Sequence, residues 1–220
     1  TIYFKKNIIN ITMKFNIELF EKVPIIGILR NVTEDTVKSL IPIYYKSGFN
    51  SLEITMNTPR AVDIIKHSVE EFPDMNIGAG TVCTMKELDL ACDAGASFVV
   101  SPILSNEVIT KCIERKIAVF PGALTPSEIY KAHSLGATAI KVFPITSLGP
   151  NYIKDILAPL NKIKLIPVGG VSKNNIGAFF KNGSYGVGMG SSLFPKNLIS
   201  KSSMQELSIH FKSILNEIKN

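Results

Sequence analysis

Two charged residues stand inside segments that otherwise have the character of buried β-strands. The stretch Ala137-Thr-Ala-Ile-Lys-Val-Phe-Pro144 follows Gly136, a residue suited to a helix C-terminus, and ends in proline. Strand side chains alternate, so Ala139, Lys141 and Phe143 share one face while Ile140 and Val142 share the other. An ammonium among apolar neighbours is unfavourable. Burial lowers its pKa from an ordinary value of about 10.4 and frees an amine able to attack a carbonyl carbon. The plainer alternative is a lysine that snorkels from a strand end or pairs with a carboxylate, since buried lysines are rare unless paired. Glu53, in Leu52-Glu-Ile-Thr55, has the same peculiarity. Its plainer alternative is a structural ion pair with Lys141, a geometry shared with the functional one.

Further polar residues fall where other strands end: Arg30, then Thr55 and Asn57, then Thr81. Two glycine–serine loops, Val168-Gly-Gly-Val-Ser172 and Gly188-Met-Gly-Ser-Ser192, follow the last two strands. Glycines let backbone N–H groups approach an anion, and a helix N-terminus adds favourable dipole charge. An amine, a carboxylate, an arginine suited to gripping a carboxylate, and a phosphate cradle are what a Schiff-base aldolase requires. Metal-dependent aldolases and sugar-phosphate epimerases are the competing enzyme class, and they need histidine and carboxylate ligands converging on one ion. The histidines His67, His133 and His210 all fall in predicted helices, as surface residues. Cys83 lies near a strand end without a histidine to activate it. A non-catalytic barrel that binds a phosphorylated ligand is the third alternative.

The elements that must position these residues repeat along the chain. Strands are predicted at residues 25–29, 51–56, 76–80, 97–101, 117–120, 138–143, 164–168 and 185–190, at spacings of about 20–26 residues and separated by helical segments. Thr84-Met-Lys-Glu87 and Thr125-Pro-Ser-Glu128 are capping boxes, and Thr58-Pro59 is a predicted helix start. Gly48, Gly95, Gly136 and Gly183 are placed to close helices. Apolar parallel strands covered by helices predict a single-domain α/β (β/α)₈ TIM barrel, with its site at the C-terminal strand ends. A doubly wound sheet would need a glycine-rich turn after strand one, where Leu29-Arg30-Asn31-Val32 stands instead. Residues 1–13 are expected to be an extension outside the core, with Met13 near the natural start. Residues 14–220 form the barrel with N- and C-terminal helices, the last at Met204–Ile218.

The net charge is +6. Its lysines are scattered rather than gathered into an arginine-rich or aromatic-interleaved stripe, which argues against nucleic acid. No apolar run reaches the roughly 20 residues that span a bilayer. Three cysteines in no metal-ligand spacing fit a reduced, cytoplasmic protein.

From about Val23 to Phe194 the chain resembles the 2-keto-3-deoxy-6-phosphogluconate/4-hydroxy-2-oxoglutarate aldolase family. The resemblance is carried by Leu52-Glu-Ile-Thr55, Gly78-Ala-Gly-Thr81, Ser101-Pro102, Pro121-Gly122, Thr125-Pro-Ser-Glu128, Lys141-Val-Phe-Pro144, Val168-Gly-Gly-Val171 and Gly190-Ser-Ser192. It implies a class I aldolase without metal or other cofactor, usually a homotrimer. Such an enzyme cleaves a phosphorylated 2-keto-3-deoxy sugar acid to pyruvate and glyceraldehyde 3-phosphate, and in some members also cleaves 4-hydroxy-2-oxoglutarate. By motif, the resemblance makes Lys141 the Schiff-base lysine and Glu53 the general acid/base. It puts Arg30, Thr81 and Pro102 at the pyruvate end, with Thr55, Asn57, Phe143 and Val168 also against substrate. Gly169, Gly170, Ser172, Gly190 and Ser191 fall around the phosphate. Three positions depart from the commonest pattern: Asn57 for arginine, Ile103 for glycine and Val168 for threonine. Asn57, Val168 and Leu148-Gly-Pro-Asn-Tyr152 look more like the 6-phosphogalactonate branch, which acts on the C4 epimer.

Overall fold

A computed structural model describes residues 14–200 and 204–218, and the expected extension at 1–13 lies outside them. A short helix α1 (Ile17–Lys22) leads into a regular alternation. β1 (Ile25–Leu29), α2 (Glu34–Lys46), β2 (Ser51–Thr55), α3 (Ala61–Glu71), β3 (Asn76–Gly80) and α4 (Met85–Asp93) come first. β4 (Phe98–Val100), α5 (Asn106–Glu114), β5 (Ala118–Phe120), β6 (Gly122–Ala123) and α6 (Pro126–Ser134) follow. The chain ends with β7 (Ile140–Val142), α7 (Gly149–Leu157), β8 (Leu165–Pro167), α8 (Ile176–Lys181), β9 (Val187–Met189), α9 (Lys196–Ser200) and α10 (Met204–Asn216).

Local signals explain many boundaries. Both predicted capping boxes form, at Thr84/Glu87 and Thr125/Glu128. The four glycines placed to close helices all take positive φ, which costs glycine no Cβ clash. Thr58 does not cap α3 as predicted. The residue before the helix is Arg60, in left-handed geometry without a side-chain cap bond. The Thr58 hydroxyl is engaged elsewhere, by the Asn31 N–H at 3.1 Å and by the Thr55 hydroxyl at 3.1 Å.

All strand pairs are parallel and lie in two curved sheets, ordered β5-β4-β3-β2-β1-β9 and β6-β7-β8. The predicted fifth strand, 117–120, is observed as β5, and beyond Pro121, which has no N–H for a ladder, the unpredicted short strand β6 joins the second sheet. The Pro121 carbonyl still accepts from the Lys141 N–H at 2.9 Å, and Val119 O accepts from Thr138 N–H at 3.0 Å. At the other seam, Tyr185 N–H donates to Leu165 O at 2.9 Å and Val168 bridges Gly188. The sheet therefore curls around an interior.

Apolar residues divide between two cores according to strand alternation. Leu52, Ile54, Ile140 and Val142 pack outward against the helices. Ile26, Ile28, Phe98, Val100, Phe120, Ala139, Ile166 and Val168 face inward, joined by Phe15 and Phe20 from the N-terminal segment. Phe15 packs edge-on against Phe98 and Phe120, with ring centroids 5.3 and 5.4 Å apart. Each such buried aromatic contributes about 1.5–3 kcal/mol of transfer free energy. Together these rings fill one end of the interior and leave the C-terminal strand ends for polar groups.

The Phe98 ring occupies the space above Gly78, where an added Cβ would lie 2.5 Å from three ring carbons. Overpacking of this kind costs about 1–3 kcal/mol, so Gly78→Ala should lower the denaturant midpoint by a corresponding amount without changing the m-value. An unchanged midpoint would show that the ring moves aside freely.

Candidate active site

Each candidate group sits where its strand ends or turns inward. Lys141, at the centre of β7, shares the inner face with Ala139 and Phe143 and is 2% exposed. Glu53, at the centre of β2, is 1% exposed. Its Oε1 has no hydrogen-bond partner. The carboxyl lies over Gly80 of β3, where an added Cβ would come within 1.7 Å of Oε1. Absence of a side chain at Gly80 is what makes room for the acid.

Lys141 and Glu53 influence one another electrostatically without forming an ion pair. The structural pairing considered for them is therefore absent. Burial pushes the Lys141 pKa below its ordinary value, the charge of Glu53 opposes that shift, and the Arg30 guanidinium reinforces it. Burial pushes Glu53 upward, while Lys141 and Arg30 both oppose the rise. Arg30 thus favours a neutral amine and an ionised carboxylate at once. Lys141 Nζ stands 4.9 Å from the Phe143 ring centroid. Cys83, half-buried beyond β3, has its thiol pKa raised by burial and Glu87 and opposed by Lys141.

A cavity of about 830 Å³ opens at the ends of β1, β8 and β9; its lining includes Phe143, the ring beside Lys141 Nζ, but neither Lys141 nor Glu53. It brings together Arg30, Phe143, Gly169, Gly170, Ser172, Gly190 and Ser191 from the predicted set. Val168 is buried in the inner core beside Gly188, next to the cavity wall. Thr55, Asn57, Thr81 and Pro102 lie at the ends of β2, β3 and β4, outside that lining. The Thr55 hydroxyl is buried against Thr58, Asn57 is exposed, and Thr81 takes a left-handed φ of 58°. Pro102 packs so closely on Gly122 that an added Cβ there would meet its carbonyl at 2.3 Å.

Other residues at this end escaped the sequence reading. Thr58 ties the β2–α3 loop to the turn carrying Arg30 through Asn31 N–H, and Arg60 Nη1 reaches Glu34 at 2.7 Å across the same gap. Asn175 Oδ1 accepts from Ser172 N–H at 2.8 Å, and its amide donates to Gly170 O at 2.9 Å, bracing the first glycine loop. Lys196 lines the cavity just beyond the second loop. His210, expected on the surface, is half-buried and bonds Ser192 O through Nε2 at 3.0 Å, joining α10 to that loop. His67 pairs with Glu71 at 3.0 Å on α3. Among the described residues, no three His, Cys, Asp or Glu side chains converge on one point.

A buried amine and a buried acid thus stand at the strand ends of a parallel α/β fold, near a cavity whose lining includes Arg30 and Lys196. The family model of the KDPG and KHG aldolases matches residues 17–209, and the chain belongs to that family. It is 35% identical over 175 residues to the 2-dehydro-3-deoxy-6-phosphogalactonate aldolase of Escherichia coli K12, covering 79% of this chain and 85% of the relative. A solved structure of native KDPGal superposes with a TM-score of 0.84 at 29% identity, covering 94% of this chain and 97% of the other. The KDPG aldolase of Legionella pneumophila, with pyruvate captured as a covalent carbinolamine intermediate, superposes with a TM-score of 0.81 at 25% identity, covering 89% and 96%. The relatives are aldolases, and the chain is accordingly a lyase. Among the described residues no helix is long and apolar enough to cross a membrane.

A methyl group at Gly80 must displace the Glu53 carboxyl. Gly80→Ala should lower aldolase turnover by about 10²-fold or more, as loss of a positioned acid/base does, while the far-ultraviolet spectrum stays native. Turnover within about twofold of the parent would contradict this dependence on the acid's position.

Proposed function

We propose that this protein is a class I aldolase that cleaves 2-keto-3-deoxy-6-phosphogluconate to pyruvate and glyceraldehyde 3-phosphate through an imine on Lys141. The observation that carries the reading is the buried Lys141–Glu53 pair near a cavity lined by Arg30 and Lys196 and, among the described residues, by no acidic side chain. The covalent pyruvate adduct of the Legionella pneumophila relative supports the same chemistry.

In this mechanism the neutral Lys141 amine attacks the C2 carbonyl and forms a carbinolamine. Glu53, in its protonated form, gives a proton to the carbinolamine hydroxyl, which leaves as water and yields a protonated imine and the Glu53 carboxylate. Glu53 then accepts the C4 hydroxyl proton as the C3–C4 bond breaks. The bonding electrons pass to the imine nitrogen and leave an enamine, and glyceraldehyde 3-phosphate departs. Glu53 returns the proton to C3, and water releases pyruvate and restores the amine. Arg30 holds the substrate carboxylate through paired N–H donors, with Thr55, Asn57, Thr81, Pro102 and Phe143 around the pyruvate half. Gly169, Gly170, Ser172, Gly190 and Ser191 surround the phosphate.

The C4 epimer, 2-keto-3-deoxy-6-phosphogalactonate, is the second reading. Val168, buried and apolar where a hydroxyl could otherwise meet the C4 hydroxyl, favours it. Similarity to the Escherichia coli phosphogalactonate enzyme points the same way. An apolar wall discriminates weakly between positions of a hydroxyl, so measurable turnover of both epimers fits this site. Cleavage of 4-hydroxy-2-oxoglutarate to pyruvate and glyoxylate belongs to the same proposal. The proposal also takes β5 and β6 as one strand of a closed (β/α)₈ barrel spanning residues 14–220. The seam hydrogen bonds described above support closure. A homotrimer in the cytoplasm completes it, with the family resemblance supporting the trimer and three free thiols fitting a reducing compartment.

Pyruvate release from each phosphorylated acid tests the reading. The parent protein should cleave at least one epimer, and Glu53→Gln should reduce kcat by about 10²–10⁴-fold. A parent inactive on both acids would overturn the assignment, and a fully active Glu53→Gln variant would remove Glu53 from the mechanism.

A further inference from the structure

We propose that Lys196 is the cationic contact through which this site selects phosphorylated over unphosphorylated 2-keto acids, an inference that rests on the aldolase reading. The charged side chains on the cavity lining are those of Arg30 and Lys196. Arg30 follows β1 and is near enough to bear on the ionisation of both Lys141 and Glu53. Lys196 follows the Gly190-Ser-Ser192 loop and lies on the far side of it in sequence.

Two neutral donors on the glycine loops are already committed. The Ser172 N–H goes to Asn175 Oδ1, and the Ser192 hydroxyl donates to Val171 O. A phosphate dianion entering between the loops therefore finds fewer backbone and hydroxyl donors than their sequence promises. Lys196 forms no ion pair with any described residue. The other lysine near these loops, Lys173, lies outside the cavity lining and faces Glu217 at 3.9 Å. A lysine presents three rotatable donors as a compact point charge, and its interaction with an ionised oxygen is stronger than that of a neutral donor. The inference concerns the side-chain charge and not the end of the short helix α9.

The test compares 2-keto-3-deoxy-6-phosphogluconate and its galactonate epimer with the corresponding acids lacking phosphate. It uses the intact parent protein, Lys196→Gln and Lys196→Arg. Lys196→Gln should raise KM for the phosphorylated acids by about tenfold or more with little change in kcat, because binding to the distal phosphate is removed uniformly from ground and transition states. KM for the unphosphorylated acids, and the rate of borohydride trapping with pyruvate, should stay at the parent level. Lys196→Arg should recover most of the loss, since it keeps the charge. Equal losses on phosphorylated and unphosphorylated acids, or no loss on either, with normal pyruvate trapping would overturn the inference alone. A parent protein that traps no pyruvate would overturn the aldolase reading and this inference with it.

Discussion

The constraint on which the site depends is the burial of two opposite charges that do not touch. Lys141 and Glu53 lie inside an apolar interior, at 2% and 1% exposure, without a shared ion pair. Water would stabilise both charged forms, and its exclusion pushes the lysine toward the free amine and the acid toward the protonated carboxyl. Arg30 reinforces the effect on the lysine and opposes it on the acid, lowering both pKa values and favouring the amine and the carboxylate. The combination is suited to an amine that attacks a carbonyl and a carboxyl that both takes and returns a proton. A tight structural salt bridge would have fixed both groups in their charged forms.

Much of the packing follows from accommodating that pair. The alternation that turns Lys141 inward also sends Ile140 and Val142 into the helix-facing core, so the charge is held by a strand anchored on its other face. Gly80 provides the volume for Glu53, and Gly78 provides it for Phe98 one turn of the pleat away. The aromatic plug of Phe15, Phe20, Phe98 and Phe120 excludes solvent from the opposite end. Loops at the open end are held by hydrogen bonds. Thr58 holds the Arg30 turn, Asn175 braces the first glycine loop, and His210 holds the second. Thr58 and His210 act across units, whereas Asn175 acts within its own loop.

The features legible in the sequence were those set by local periodicity and local capping. The face shared by Ala139, Lys141 and Phe143 follows from a period of two, and both capping boxes form from residues three apart. The close approach of Glu53 to Gly80 was not legible, because it depends on the register between β2 and β3, which pairs Glu53 with Gly78 and Thr55 with Gly80. Thr58 was misread for the same reason. Its sequence context is that of a helix cap, but tertiary pairing with Asn31, 27 residues away, claims its hydroxyl. Lys196 was one lysine among many in a basic chain, and only the fold distinguishes it by placing it on a cavity that has no acidic side chain among the described residues. The break between β5 and β6 at Pro121 has a local signal in proline's missing N–H, but the pairing of Gly122–Ala123 with β7 is tertiary.

The pH dependence of borohydride trapping with pyruvate, with the adduct located by peptide mass mapping, tests the central claim most directly. The imine forms from the neutral amine, so the acid limb of the trapping rate reports the ionisation of the lysine that carries it. The account predicts a stable adduct on Lys141 and a midpoint well below the ordinary lysine value of 10.5. An adduct on another lysine, or a Lys141 midpoint at the ordinary value, would contradict the claim that burial of this pair creates the nucleophile.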